Sequence, residues 1–308
     1  TRRYSSAASD VYKRQDADPA VRIQYAAKYA QTANYWKYYI GQSKGLKALD
    51  VYGKKKALED EFSAWMDGNA DREALYGETL GLLDEYYANT DATVKGQVYS
   101  LEAGLIGCDL MLFAFRVGMG AQGLFSEDAD RADGAAAALQ GRADGFFKDY
   151  DQETDRDLFI QLMTKYMTDI APDQHPAFFA TVRDKYKGDF ARYADKMYPK
   201  SFLTDPVRFK EFLADPDQKA LDKDLAVAAA MSLIDTYRGY FASPEQSKFD
   251  KGYRLLTAGL REMKPEKMWY PDANSTMRLS YGQVGDYDPA DAVHYDFVTT
   301  ANGILQKK

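Results

Sequence analysis

From Asp18 to about Lys264, apolar residues recur every three or four positions, the spacing that puts one stripe of side chains on a helix face. Val94, Val98, Leu101, Leu105, Cys108, Leu112 and Phe115 step by four and three alternately, which predicts a single core helix of about six turns. Phe159, Met163, Tyr166 and Ile170 repeat the spacing, as do Leu233, Tyr237 and Tyr240. Breaks are expected where Gly, Pro, Asn and Asp gather: 41–45, 68–71, 89–93, 118–123, 171–176, 198–206 and 242–244. Asp205-Pro206 and Ser243-Pro244-Glu245 each set a capping side chain before a proline at the first helical position. Lys54-Lys55-Lys56 and Glu59-Asp60-Glu61 form a solvated flank of opposite charges, while Leu58, Phe62 and Trp65 face inward. There is no internal repeat, and the Ala135–Ala138 run favours helix.

The period changes near the C-terminus. In Thr276-Met277-Arg278-Leu279-Ser280-Tyr281, apolar and polar residues alternate, which predicts a half-buried strand. Too little chain follows to complete a sheet, so the sequence reads as a piece of something larger. Thr1 to Gln15 shows neither a signal-peptide core nor helical period and is excluded from fold reasoning. It resembles the translated linkers that head open reading frames assembled from environmental DNA, which places the natural start near Asp16.

Composition narrows the class. With 308 residues, 45% of them hydrophobic and 14% aromatic, the chain has ample material for a packed core. A net charge of -7 and a pI near 5.1 argue against a nucleic-acid surface. The most apolar window, Leu110–Gly120, contains Arg116, follows Asp109 and falls short of the roughly 20 apolar residues of a membrane span. Cys108 is the single cysteine, so neither an intramolecular disulfide nor a thiolate cluster can form, and a buried small residue is the expected role.

Candidate chemistry is sparse. Gly41-Gln42-Ser43-Lys44-Gly45 matches the G-x-S-x-G elbow, which requires a strand before the serine. Here Tyr25, Tyr29, Trp36 and Ile40 lead in with helical spacing, so the glycines are expected to cap a helix and form a turn. His175 lies in a turn sequence and His294 in the C-terminal strand region, and neither forms a metal-binding His pair. Carboxylates are plentiful, but no pair stands out.

The stretch from Asp18 through Ala33-Asn34-Tyr35-Trp36-Lys37 to Ile40-Gly41, with Tyr270-Pro271-Asp272-Ala273-Asn274 and Met277-Arg278-Leu279-Ser280-Tyr281-Gly282, resembles the bacterial dipeptidyl-peptidases of the 7 and 11 type, serine peptidase family 46. The similarity runs from about Asp16 to the end. It implies a mainly α, multi-helix cap domain inserted in a chymotrypsin-like double β-barrel peptidase, with a short β segment at the C-terminus. The implied organisation is a non-native or disordered leader at 1–15, the helical cap at 16–268, and the start of the second half of the barrel at 269–308. In the family, the catalytic His and Asp precede the helical insertion and the Ser follows it. No catalytic residue is therefore assigned here, and the fragment alone is expected to be inactive.

One family role falls inside the chain. An asparagine on the helical domain helps hold the substrate's α-amino group, and Asn34 matches that position. A carboxamide oxygen on a helix can accept from an α-ammonium without burying an unpaired charge. By helical angle, Asn34 lies opposite the Tyr25, Tyr29, Trp36 and Ile40 stripe, among Ala27, Ala30, Gln31 and Tyr38. Tyr35 could line the same cleft, Trp36 is expected in the core, and Arg278 has no catalytic assignment. The resemblance implies no cofactor, peptide partners with a free N-terminus, and a periplasmic, secreted or cell-surface location. It leaves room for a homodimeric parent. The rival readings are a stand-alone helical binding protein whose C-terminal strand docks a partner by β-augmentation, and an α/β-hydrolase using Ser43.

Overall fold

Aspartates start many of the helices. The side chains of Asp50, Asp128, Asp151, Asp189, Asp205, Asp217 and Asp224, together with Asn69, each accept a backbone N–H from the first turn of the helix that follows. The computed structural model describes residues 19–241, 245–270 and 273–306. The 1–15 leader and the Ser243-Pro244 start signal lie outside the described residues. The chain divides into two units, Thr1–Met263 and Lys264–Lys308, taken in turn below.

The first unit is all α. Helices α1 (Pro19–Ala48), α2 (Val51–Asp67), α3 (Ala70–Tyr76) and α4 (Thr79–Val98) lead into a π-helical stretch, Tyr99–Ile106. After it come α5 (Asp109–Gly120), α6 (Ala129–Lys148), α7 (Gln152–Asp169), α8 (Phe178–Tyr186) and α9 (Phe190–Lys200). The unit closes with α10 (Pro206–Ala214), α11 (Gln218–Lys223), α12 (Leu225–Gly239) and α13 (Glu245–Met263). The main core lies among the π stretch and α5 to α12. Phe159 is fully buried there, with the rings of Phe190, Tyr193 and Tyr198 at 6.1–6.2 Å. A smaller core joins Phe62 and Met66 of α2, Tyr76 of α3 and Leu255, Leu256 and Leu260 of α13. Gly259 permits that approach, because a Cβ there would stand 2.6 Å from the Phe62 ring.

Several expectations hold. Phe159, Met163, Tyr166, Ile170 and Leu233 are buried. Lys56 pairs with Asp60 at 2.8 Å on an exposed flank over buried Phe62. Asp205 caps α10 through the N–H groups of Val207 and Arg208.

Others need correction. The expected six-turn helix is two helices, whose axes turn by 92° between Ile106 and Asp109. At the turn, Gly107 packs against Leu162 of α7, where an added Cβ would stand 2.6 Å away, and Cys108 is extended. Val94 and Val98, assigned to the same stripe, are each 49% exposed, because they precede the bend on the side away from the core. No break occurs at 89–93, where α4 continues. Gly41 and Gly45 lie inside α1 rather than in a turn, each with open space where a Cβ would sit. Among the described residues, no single helix is long and apolar enough to cross a membrane.

In the second unit, the strand expected at 276–282 does not form. Met277, Leu279 and Tyr281 lie in an irregular segment, solvent-exposed and unpaired in any sheet. Period-2 alternation makes a strand only when a neighbouring edge supplies the hydrogen bonds. The pairing observed is a short antiparallel hairpin downstream, β1 (Tyr287–Ala290) with β2 (Val293–Tyr295), followed by the one-turn helix α14 (Asn302–Leu305). The fold is thus mainly α, with a short β segment near the C-terminus.

Candidate functional site

Helix α1 leaves most of its length uncovered. Of its 30 residues, Tyr25 alone is buried. Tyr29, Tyr35, Tyr38 and Tyr39 are 47–55% exposed and Ile40 is 37% exposed, so the expected inward stripe of Tyr25, Tyr29, Trp36 and Ile40 is buried at Tyr25 and half-buried at Trp36 only. Asn34 lies on the exposed face with Ala27, Ala30, Gln31 and Tyr38, as its helical angle requires. A shallow open groove of about 220 Å³ follows the same helix, lined by Tyr39, Ile40, Ser43, Lys44 and Lys47.

The inner end of α1 meets a carboxylate pair that the sequence did not single out. Asp155 of α7 is completely buried, and its carboxylate accepts the N–H groups of Asp109 at 2.6 Å and Leu110 at 3.3 Å. It thereby caps α5 from another helix, since Cys108 offers no side-chain cap of its own. The Tyr198 hydroxyl donates to the same carboxylate at 2.8 Å. Burial and the neighbouring Asp109 charge push Asp155 up to about 7, against the pull of those three donors.

Asp109 in turn faces α1. Lys28 forms an ion pair and hydrogen bond with its Oδ2, and the Tyr25 hydroxyl lies 3.3 Å from both that oxygen and the Asp151 carbonyl. Lys28 also donates to the Asp149 carbonyl at 3.2 Å and sits 4.1 Å from the centre of the Tyr25 ring. Burial raises the Tyr25, Tyr150 and Tyr198 hydroxyls well above the ordinary phenol range, so all three stay protonated. Burial likewise raises the Cys108 thiol, which fits the expected small-residue role and leaves no reactive thiolate.

The remaining candidates scatter. Ser43 stands mid-helix in α1, with helix on both sides and no strand before it, so the elbow geometry is absent. His175 is half-buried. Arg183 donates to its Nδ1 at 3.2 Å, which leaves Nε2–H to donate to the Ile170 carbonyl at 2.9 Å. Burial, then the Arg183 charge, lowers its pKa, so it is a neutral structural imidazole. His294 lies exposed on β2, 2.9 Å from Asp288 and 3.5 Å from Asp286. Arg278 is exposed in the irregular segment before β1. Among the described residues, no group of three His, Cys, Asp or Glu is placed to hold a metal.

The helical architecture has solved counterparts. Porphyromonas endodontalis DPP11 in complex with the dipeptide Arg-Glu superposes with a TM-score of 0.70 at 25% identity, over 99% of this chain and 44% of that one. The class is therefore a helical domain of the kind found in that dipeptidyl-peptidase. The Peptidase S46 family model matches residues 1–308, and the chain belongs to that family. It is 36% identical over 299 residues to dipeptidyl-peptidase 7 of Porphyromonas gingivalis, covering 95% of this chain and 41% of that protein. It is 30% identical over 296 residues to the Asp/Glu-specific dipeptidyl-peptidase of the same organism, again over 95% of this chain and 41% of that protein. The chain thus spans about two fifths of the length of these curated relatives.

Proposed function

We propose that this chain is the helical cap of a serine-type dipeptidyl aminopeptidase, a hydrolase that releases dipeptides from free peptide N-termini. The observation that carries the reading is the S46 match across residues 1–308, joined to relatives named as dipeptidyl-peptidases. Asn34 supplies the recognition chemistry: its carboxamide oxygen, held on the exposed face of α1, accepts a hydrogen bond from the substrate α-ammonium. Small alanines at 27 and 30 leave room for a peptide end to approach. Bond cleavage belongs to the Ser, His and Asp of the parent's barrel, which lie outside these residues. The site of action is the periplasm, the cell surface or the medium, and a homodimeric parent is part of the same reading. The binding-protein alternative is not favoured, because the relatives matched across the chain are named as dipeptidyl-peptidases.

The test places Asn34→Ala in the full-length parent. KM for dipeptidyl substrates should rise by about tenfold or more, the scale of one hydrogen bond to a charged group, while N-terminally blocked peptides remain poor substrates. Unchanged kinetics would remove Asn34 from the site. Peptide hydrolysis by residues 1–308 alone, free of contaminating protease, would sink the cap reading itself.

A further inference from the structure

Helix α1 should not hold its place on packing alone. Its 30 residues bury one side chain, its two interior glycines each weaken a helix by roughly 0.5–1 kcal/mol relative to Ala, and most of its aromatics face outward. A helix in that condition needs specific tertiary anchorage to stay formed and oriented. The anchorage in view is polar and directional. Tyr25 and Lys28, one turn apart, converge on Asp109 Oδ2, while the Asp151 and Asp149 carbonyls take the same hydroxyl and ammonium.

The receiving half of this contact is built without α1. Asp109 is the first residue of α5, and its backbone is held by Asp155 of α7, which is itself tied to Tyr198 of α9. Three core helices therefore present one partly exposed carboxylate at a defined point. Lys28 is the cation that neutralises it, with 29% of the Asp109 side chain and 35% of the Lys28 side chain accessible.

We propose that Tyr25 and Lys28 form a latch that docks α1 onto the Asp109–Asp155 pair and sets the position of the helix's recognition face. They are positioning residues, acting through α1. Asn34 lies nine residues beyond Tyr25, about 14 Å along the axis, so the latch fixes its rotation and depth. The role of the latch in catalysis rests on the cap reading and on Asn34. The docking of α1 does not.

The experiment uses the protein with its natural flanking sequence and follows amide hydrogen exchange by mass spectrometry in α1, with α12 as the internal reference. Lys28→Met should speed exchange in α1 by about fivefold or more, the scale of a lost charge-assisted hydrogen bond, with α12 unchanged. Tyr25→Phe should act in the same direction, Lys28→Arg should restore protection, and Lys37→Met on the same helix should change neither region. Unaltered α1 exchange in both Lys28→Met and Tyr25→Phe overturns the latch, as does a parallel rise in α12, which marks general unfolding. On dipeptidyl substrates, Lys28→Met should raise KM several-fold with kcat within about twofold. If Asn34→Ala is silent while Lys28→Met still frees α1, the amino-group reading falls and the latch stands. If Asn34→Ala raises KM and Lys28→Met frees α1 without touching KM, the latch docks the helix but the positioning role is overturned.

Discussion

Helices α9 and α1 solve the same problem in opposite ways. Helix α9 buries five of its eleven residues, and Phe190, Tyr193, Ala194, Met197 and Tyr198 lock it among α7, α8 and α12. Helix α1 is nearly three times as long and buries one. Hydrophobic burial is non-directional and grows with area, so α9 tolerates the loss of any one polar contact. A few directional bonds hold α1, which leaves its remaining faces free for something other than the core. Helix α1 leaves its aromatic and amide residues largely on solvent and meets the core through Tyr25 and Lys28.

The largest effect that could break this contrast lies in the core. Phe159→Ala should destabilise by about 3–5 kcal/mol, because a fully buried ring leaves a cavity among three other rings. Tyr38→Ala on α1 should stay within about 0.5 kcal/mol. Denaturant unfolding measures both, and comparable losses would mean that α1 is part of the core after all.

A smaller effect sharpens the junction between the two regions. The folded state raises the pKa of Asp155 above its unfolded value, so it binds more protons than the unfolded chain between about pH 4 and 7. The contribution is fully present below about pH 4 and is lost as pH rises through about 7. In Asp155→Asn, which mimics the protonated acid, that slope should vanish, and the difference from wild type should reach at most about 1.4 kcal/mol per pH unit. Identical pH profiles for the two proteins would show that Asp155 is ionised throughout and that its three donors outweigh burial. The smallest effect concerns α1 alone. Gly41→Ala should stabilise by about 0.5–1 kcal/mol, since nothing lies within 4 Å of the added Cβ and φ is helical. Destabilisation would restore the turn that the sequence suggested there.

How far the sequence could be read depended on how local the cause was. Phe159, Met163 and Tyr166 lie on one turn-by-turn stripe of α7, and the Asp205 cap uses groups two and three residues away, so both were legible. The bend at Gly107 was not, because Asp155 completes it from 46 residues downstream. The Asp109–Asp155 pair was hidden for the same reason, as two ordinary carboxylates among 47 acidic residues. The alternation at 276–281 calls for partners from outside the sequence, and among the described residues no neighbouring edge is there to pair it.

By itself, then, the order of residues determined the mainly helical class, the Asp205 start of α10 and the family, because propensity, capping and apolar period act over a few residues. Tertiary structure alone decided where the long apolar run bends, which carboxylates meet, and that α1 docks through Tyr25 and Lys28 while the face bearing Asn34 stays open. Those outcomes depend on groups from distant parts of the chain arriving at one point, and no local pattern encodes that convergence.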